Sequence, residues 1–231
     1  REARDSGFTN TASTTYAVWA AESDGTLSEE PAQITVATAP AVATAVVVRR
    51  SAAAVGFGRS AVLTTTLTRG GARLDREPVE LLSGLAPNSA LRVLRRFTVG
   101  ADGVARVSVV PSRTTRYAVR FAGNAFSRPS LSAPVIVAVV PQLTAALTRT
   151  AIPVRTQAVA LGRVTPGITA LPVVVQRWTG SAWHSVARGL TTAGGYYRLP
   201  VGAAVGIHRF RVVTAAQPTL AAGTSRLLSL R

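Results

Sequence analysis

The sequence predicts an all-β chain made of small sandwiches in tandem, and three observations carry that prediction. Hydrophobic residues alternate with period two in short runs bounded by Gly, Pro, Asn and Asp, and no stretch sustains a helical period. One run centred on an aromatic residue occurs three times along the 231 residues, at 15–20, 116–121 and 209–212. Although 47% of the chain is hydrophobic, no stretch reaches the roughly 20 apolar residues of a membrane span, so the apolar side chains belong in packed cores and no membrane insertion is expected.

The clearest run is Arg116-Tyr117-Ala118-Val119-Arg120-Phe121. Alternation sends Tyr117, Val119 and Phe121 to a core and leaves Arg116, Ala118 and Arg120 facing water. Tyr117 and Phe210 are 93 residues apart, and Tyr16 and Tyr117 are 101 apart. The last two copies keep similar offsets elsewhere: Pro78-Val79 with Pro172-Val173, Thr98 with Thr191, and Asp102-Gly103 with Gly194-Gly195. A repeat of about 95 residues is the size of one immunoglobulin-like, Greek-key sandwich.

Taken in order, residues 1–38 are too short for a sandwich. They hold the Tyr16 strand, a turn at Asp24-Gly25 and a final strand near 33–37, which is the second half of a truncated module. Residues 39–140 are expected to form one sandwich, with strands near 44–50, 61–67, 78–83, 91–97, 103–110, 115–122 and 133–140. Residues 141–231 form the next, with strands near 143–149, 156–163, 171–178, 183–188, 195–201, 207–214 and 224–230. Pro141 marks the junction; with no long linker there, the two units should pack end to end as a semi-rigid rod.

The run Thr14-Thr15-Tyr16-Ala17-Val18-Trp19-Ala20-Ala21, followed by Ser23-Asp24-Gly25 and Ser28, is similar to the last two strands of a bacterial fibronectin type III domain. Gln176-Arg177-Trp178, Ser181-Ala182-Trp183, the 191–197 turn and Gly206-Ile207-His208-Arg209-Phe210-Arg211 resemble the immunoglobulin-like repeats of secreted and cell-wall proteins of high-GC Gram-positive bacteria. The resemblance covers nearly the whole chain and implies a secreted or cell-surface location. It also implies that the penultimate-strand tyrosines, Tyr16 and Tyr117, tie their hydroxyls to nearby backbone as a corner. Phe210 has no hydroxyl, so the last unit must hold that corner by packing alone.

The composition narrows the chemistry. There is no cysteine, which removes disulfides, thiol nucleophiles and thiolate metal sites together. All 26 basic residues are Arg, as codon bias in a high-GC genome produces, and the net charge is +16. Residues 1–38 are net negative, whereas 141–231 carry ten Arg and no acidic side chain at all. An N-terminal export signal is not visible and is expected upstream.

No catalytic, cofactor-binding or metal-binding residue is expected. The only histidines, His184 and His208, share their unit with no carboxylate, so a Ser-His-Asp arrangement would need residues from a neighbouring module. Zinc and calcium both want ligands the last unit lacks. In the middle unit Asp75, Glu77 and Glu80 are interleaved with Arg73 and Arg76 and read as a solvated, self-neutralising loop. The pairs Gly70-Gly71 and Gly194-Gly195 read as turns, because neither has the strand-to-helix context of a phosphate loop.

One constellation stands apart. Trp178 and Trp183 flank the turn 179–182 and should sit opposite each other on one face of a hairpin. With Val173 and Val175 in the core and Val186 opposite Val175 on the inside, Val174, Gln176 and Trp178 point outward. The neighbouring strand should send Phe210 and Val212 inward and Arg209 and Arg211 outward, placing two indoles beside two guanidiniums. That face reads either as a platform for a sugar ring with arginines for acidic groups, or as an Arg-on-Trp stack that merely covers the sheet. Trp19 is also expected to face out, Tyr196 to face out, and Tyr197 to lie in the core.

These features together predict a non-catalytic extracellular spacer and adhesion region of a larger exported protein. Two other readings stay open: an accessory polysaccharide-binding region of a secreted hydrolase gripping its polymer through Trp178 and Trp183, and weak binding of anionic polymers by the Arg-rich surface. No module specific for nucleic acid is recognisable.

Overall fold

The computed structural model describes residues 14–231, apart from 22, 24, 29, 37–39, 154 and 203–204. The expected turn residue Asp24 and the expected boundary at 38/39 therefore lie outside the described residues. Two strands, β1 (Thr14–Val18) and β2 (Ala32–Val36), pair antiparallel with Tyr16 opposite Ile34. Their apolar face is largely open, with Val18 and Ile34 more than half exposed. Trp19 is exposed as expected.

Ten strands follow: β3 (Thr44–Arg50), β4 (Ala54–Gly56), β5 (Ala61–Arg69), β6 (Ala72–Arg73), β7 (Pro78–Leu85), β8 (Arg92–Thr98), β9 (Val104–Val109), β10 (Thr115–Phe121), β11 (Ser130–Leu131) and β12 (Val135–Val140). One sheet runs β4-β12-β10-β7-β8 with β11 alongside β10; the other runs β3-β5-β6 with β9 alongside β5. The chain leaves β8, crosses to the opposite sheet to lay β9 on β5, and returns to lay β10 on β7, which is Greek-key wiring. Alternation explains the core: β5 buries Ala61, Leu63, Thr65 and Leu67 from every second position, and β10 buries Tyr117, Val119 and Phe121 against them. The turn at Gly70-Gly71 has both residues at positive φ, the conformation a two-residue hairpin needs and one that glycine adopts without strain.

Eight further strands repeat the plan: β13 (Gln142–Leu147), β14 (Gln157–Thr165), β15 (Pro172–Trp178), β16 (Trp183–Leu190), β17 (Tyr196–Gly202), β18 (His208–Thr214), β19 (Gly223–Thr224) and β20 (Leu228–Leu230). The sheets are β13-β14-β17 and β16-β15-β18-β19, with β20 also on β18. A second core, drawn from 145–230, is centred on Val173, Val175, Phe210 and Val212. Among the described residues the only helical turn is a 3-10 segment, Ala193–Gly195.

Several expectations are corrected at the level of single side chains. Ala118 is fully buried although its strand position faces outward, because a methyl group between Arg116 and Arg120, with Leu82 opposite, is overtopped by its neighbours. Val186 is not inside: a bulge between Val175 and Gln176 inserts one residue into β16, so Ala187 faces Val175 and Val186 is turned out to solvent. The equivalent hairpin of the first sandwich carries a bulge at the equivalent place, Leu81/Leu82. Glu80 does not belong to a loop with Arg73 and Arg76. It stands on β7 and pairs with Arg96 at 3.0 Å and with Arg120, from the strands on either side.

The corner is built differently from the resemblance. Tyr117 is buried with its hydroxyl beside Thr115. In the last sandwich Phe210 packs without a hydroxyl, but Tyr197 from the opposite sheet donates to the Thr144 carbonyl at 2.7 Å. A Cβ on Gly162 would lie 1.9 Å from that carbonyl oxygen and 2.6 Å from the Tyr197 hydroxyl, so only glycine lets the ring cross to β13. Each sandwich also fixes its penultimate strand with a buried serine. Val119 N donates to Ser132 Oγ at 3.0 Å, and Val212 N donates to Ser225 Oγ at 2.9 Å.

The two sandwiches meet through a loop. Thr114 N donates to Thr219 O and Ala221 N donates to Val139 O, both at 2.8 Å. Between them Leu220 is 1% exposed, outside both core clusters. A Cβ on Gly223 would fall within 3 Å of Leu143 and Pro141, so the packing there is close.

Candidate functional site

The outward face of β15, β16 and β18 is set by what those strands bury. Val173 and Val175 are completely buried on β15, and Phe210 and Val212 on β18, so Gln176, Trp178, Arg209 and Arg211 emerge on the other side. The hairpin tip is closed by Thr179, whose amide and hydroxyl both donate to the Ala182 carbonyl, at 3.0 and 3.1 Å. Gly180 supplies the positive φ of that turn.

This closure pairs Trp178 with Trp183, with ring centroids 5.3 Å apart and planes tilted by 51°. Gln176 sits opposite Arg211, and its Oε1 accepts from Arg211 Nε at 2.8 Å. So held, the Arg211 guanidinium lies 4.3 Å over the Trp183 ring. Such a contact stabilises by about 0.5–1 kcal/mol at an exposed site. Three of the four expected residues are thus brought together. The two ring planes are tilted rather than coplanar, and the guanidinium lies over Trp183.

Arg209 is on the same face, beside Trp178 but outside the stack on Trp183. With Arg177, Trp178, Gly180, Ile207 and His208 it lines a cleft of about 500 Å³ at the end of the sheet. Arg177 has the inward strand parity and pairs with the buried Phe210 on one side and with His184 on the other, yet it is only half-buried at the hairpin end of β15. Sequence reasoning misses Arg177 because alternation assigns it to the interior; its place immediately before Trp178 at a hairpin tip is the available signal.

A second aromatic surface lies on the opposite sheet. Tyr196 is exposed as expected, with the Arg163 guanidinium 5.2 Å over its ring and Arg163 Nε donating to Gly194 O at 2.8 Å. Its neighbour Tyr197 is buried as expected, and burial pushes its phenol up to about 12.

The described residues contain no group of three or more His, Cys, Asp or Glu arranged to hold a metal. His184 is exposed and His208 half-buried, both in the part of the chain that has no carboxylate side chain. In the first sandwich, hydrogen bonds from Arg120 and then Arg96 hold the Glu80 carboxyl below its ordinary value.

Strand order and burial together define a class: immunoglobulin-like β-sandwiches in tandem, preceded among the described residues by a two-stranded sheet. No family model matches the chain, and no curated protein matches it. Among solved structures it is similar to the tetra-tandem repeat in the extending region of a large adhesion protein, with a TM-score of 0.50 and 17% identity, covering 95% of this chain and 57% of that one. The chain therefore spans less than two thirds of that structure. Other matches are the D0-D1 domain of intimin (TM-score 0.31, 13% identity, 80% of this chain and 97% of that one) and the Yersinia pseudotuberculosis adhesin InvE (0.37, 13%, 81% and 58%). At such identities the likeness shows the fold alone.

Proposed function

We propose that the chain is a non-catalytic spacer and adhesion region of a larger exported protein. In this reading it is divided at 38/39 and 140/141 and holds neighbouring domains apart at a cell surface. The seam between the sandwiches carries the reading. Two backbone hydrogen bonds and a buried Leu220 join loop 215–222 to the preceding sandwich, so the junction resists bending where a flexible linker would not. Greek-key sandwiches also place their strand ends at opposite poles, which suits stacking in series. The similarity to an extending region of an adhesion protein agrees with this role.

The chain has no cysteine, so Asn88→Cys with Ser181→Cys, both exposed, accepts two spin labels and no others. Pulsed dipolar spectroscopy should give one narrow distance population, broadened by Leu220→Glu. A broad population in the parent would sink the spacer reading, and hydrolytic turnover of wall polysaccharide by the purified chain would sink its non-catalytic half.

A second reading, accessory binding of polysaccharide, is favoured by one specific observation: the cleft beside Trp178.

A further inference from the structure

We infer that this cleft, and not the paired-indole face, is a binding site for an anionic sugar. Its ring would lie against Trp178 and Ile207, and its carboxylate or phosphate would lie between Arg177 and Arg209. The inference deepens the polysaccharide reading and is independent of the spacer reading, since a spacer needs no ligand.

The lining supplies two kinds of surface at once. Trp178 and the exposed Ile207 form apolar walls, of the sort on which the CH face of a pyranose packs. Trp178 packs against Trp183, whose ring is covered by Arg211, itself held by Gln176. The binding wall is therefore preorganised at little cost to a ligand. Arg177 and Arg209 line the cleft from adjacent strands, β15 and β18, Arg177 with inward and Arg209 with outward strand parity. Among the described residues neither guanidinium makes an ion pair or hydrogen bond, and residues 141–231 offer no carboxylate side chain that would compete for them. A guanidinium presents a planar fork of donors that matches a carboxylate or phosphate bidentately.

General attraction of polyanions by a chain of net charge +16 is the competing explanation, and the cleft makes a different prediction. Calorimetric titration of the full chain at 0.15 M salt would use hexagalacturonate, a glucose phosphate oligomer, neutral maltohexaose and tripolyphosphate. The acidic oligosaccharides should bind, one per chain, with the carboxylated and phosphorylated sugars distinguishing the source of the charge. Maltohexaose and tripolyphosphate should each bind at least tenfold more weakly.

Arg177→Gln with Arg209→Gln should lower affinity tenfold or more. Arg188→Gln with Arg198→Gln removes the same charge from exposed positions outside the cleft and should change affinity less than twofold. Trp178→Leu should lower affinity about as much as the cleft arginine pair, with thermal melts confirming that each variant is folded. Equal loss from both arginine pairs, tripolyphosphate binding as tightly as the sugars, or no binding of either acidic oligosaccharide would overturn the inference. None of these results would alter the distance distribution that tests the spacer.

Discussion

Gly162→Ala is expected to destabilise the last sandwich by a route that can be separated into two parts. The added Cβ would stand 1.9 Å from the Thr144 carbonyl oxygen, a backbone atom that no rotamer change can move. Reaching even 3.0 Å requires β13 to retreat from β14 by about 1 Å. Overpacking of this kind costs about 1–3 kcal/mol. The same retreat draws Thr144 away from the Tyr197 hydroxyl, 2.7 Å distant, and loses a hydrogen bond whose net contribution is about 1 kcal/mol.

In a Tyr197→Phe background that bond is already gone, so Gly162→Ala should cost about 1 kcal/mol less there than in the parent. The cycle is measured by urea and thermal unfolding in a Trp19→Phe background, where Trp178 and Trp183 report on the last sandwich alone. About 1 kcal/mol corresponds to a shift of roughly 4–8 °C for a unit of this size. Additivity within about 0.3 kcal/mol, or a neutral Gly162→Ala, would refute the reasoning. The Tyr197→Phe variant carries a second signature. Burial raises the Tyr197 phenol from 10.0 to about 12, so the stability it contributes is complete below pH 10 and is lost as pH rises toward 12, where the unfolded chain ionises first. Removing the hydroxyl should make that alkaline decline shallower in the last sandwich, while the first sandwich keeps the decline that belongs to Tyr117, also raised by burial.

Thr65 faces the first core at 1% exposure, and its hydroxyl has no hydrogen-bond partner there, so Thr65→Val should stabilise the first sandwich by about 1 kcal/mol, read as a higher urea midpoint with an unchanged slope. Glu80 is held below 4.5 by Arg120 and Arg96, so its contribution is present above that pH and is lost as pH falls through its folded value. Glu80→Gln should lower stability at pH 7 and flatten the acid side of the stability profile; an unchanged profile would assign the two arginines to solvent.

The fold is largely legible in the sequence because its signals are local. Period-two burial in β5, β10 and β17 follows directly from which residues are apolar, and the glycine pair at 70–71 announces its turn. The less legible features depend on register. Strict alternation misplaces Val186 because it does not contain a bulge, although both sandwiches carry one at the equivalent place. The tie from Tyr197 across Gly162 joins strands distant in sequence, and nothing near either residue marks it. The serine ties are within reach: Ser132 and Ser225 are 93 residues apart, the same offset as Tyr117 and Phe210. At the candidate site, alternation pairs the two indoles correctly. It fails for Arg177, which has inward parity and pairs with the buried Phe210 but stays half-exposed at the hairpin end and lines the cleft.

The distribution of charge connects the stability of the last sandwich to its proposed ligand. The first sandwich braces three strands through Glu80, whereas the last has ten arginines and no acidic side chain to set against them. Its polar support instead comes from neutral groups, namely Ser225, Tyr197 and the Gln176 amide that holds Arg211. Like charges on one small unit repel, and at physiological salt the screening length of about 8 Å leaves neighbouring guanidiniums in contact with one another's field. An anion lodged between Arg177 and Arg209 would relieve part of that repulsion while binding only the folded form. Ligand binding and folding of this unit are therefore coupled, and an acidic sugar that occupies the cleft must raise its unfolding temperature while leaving that of the first sandwich where it was.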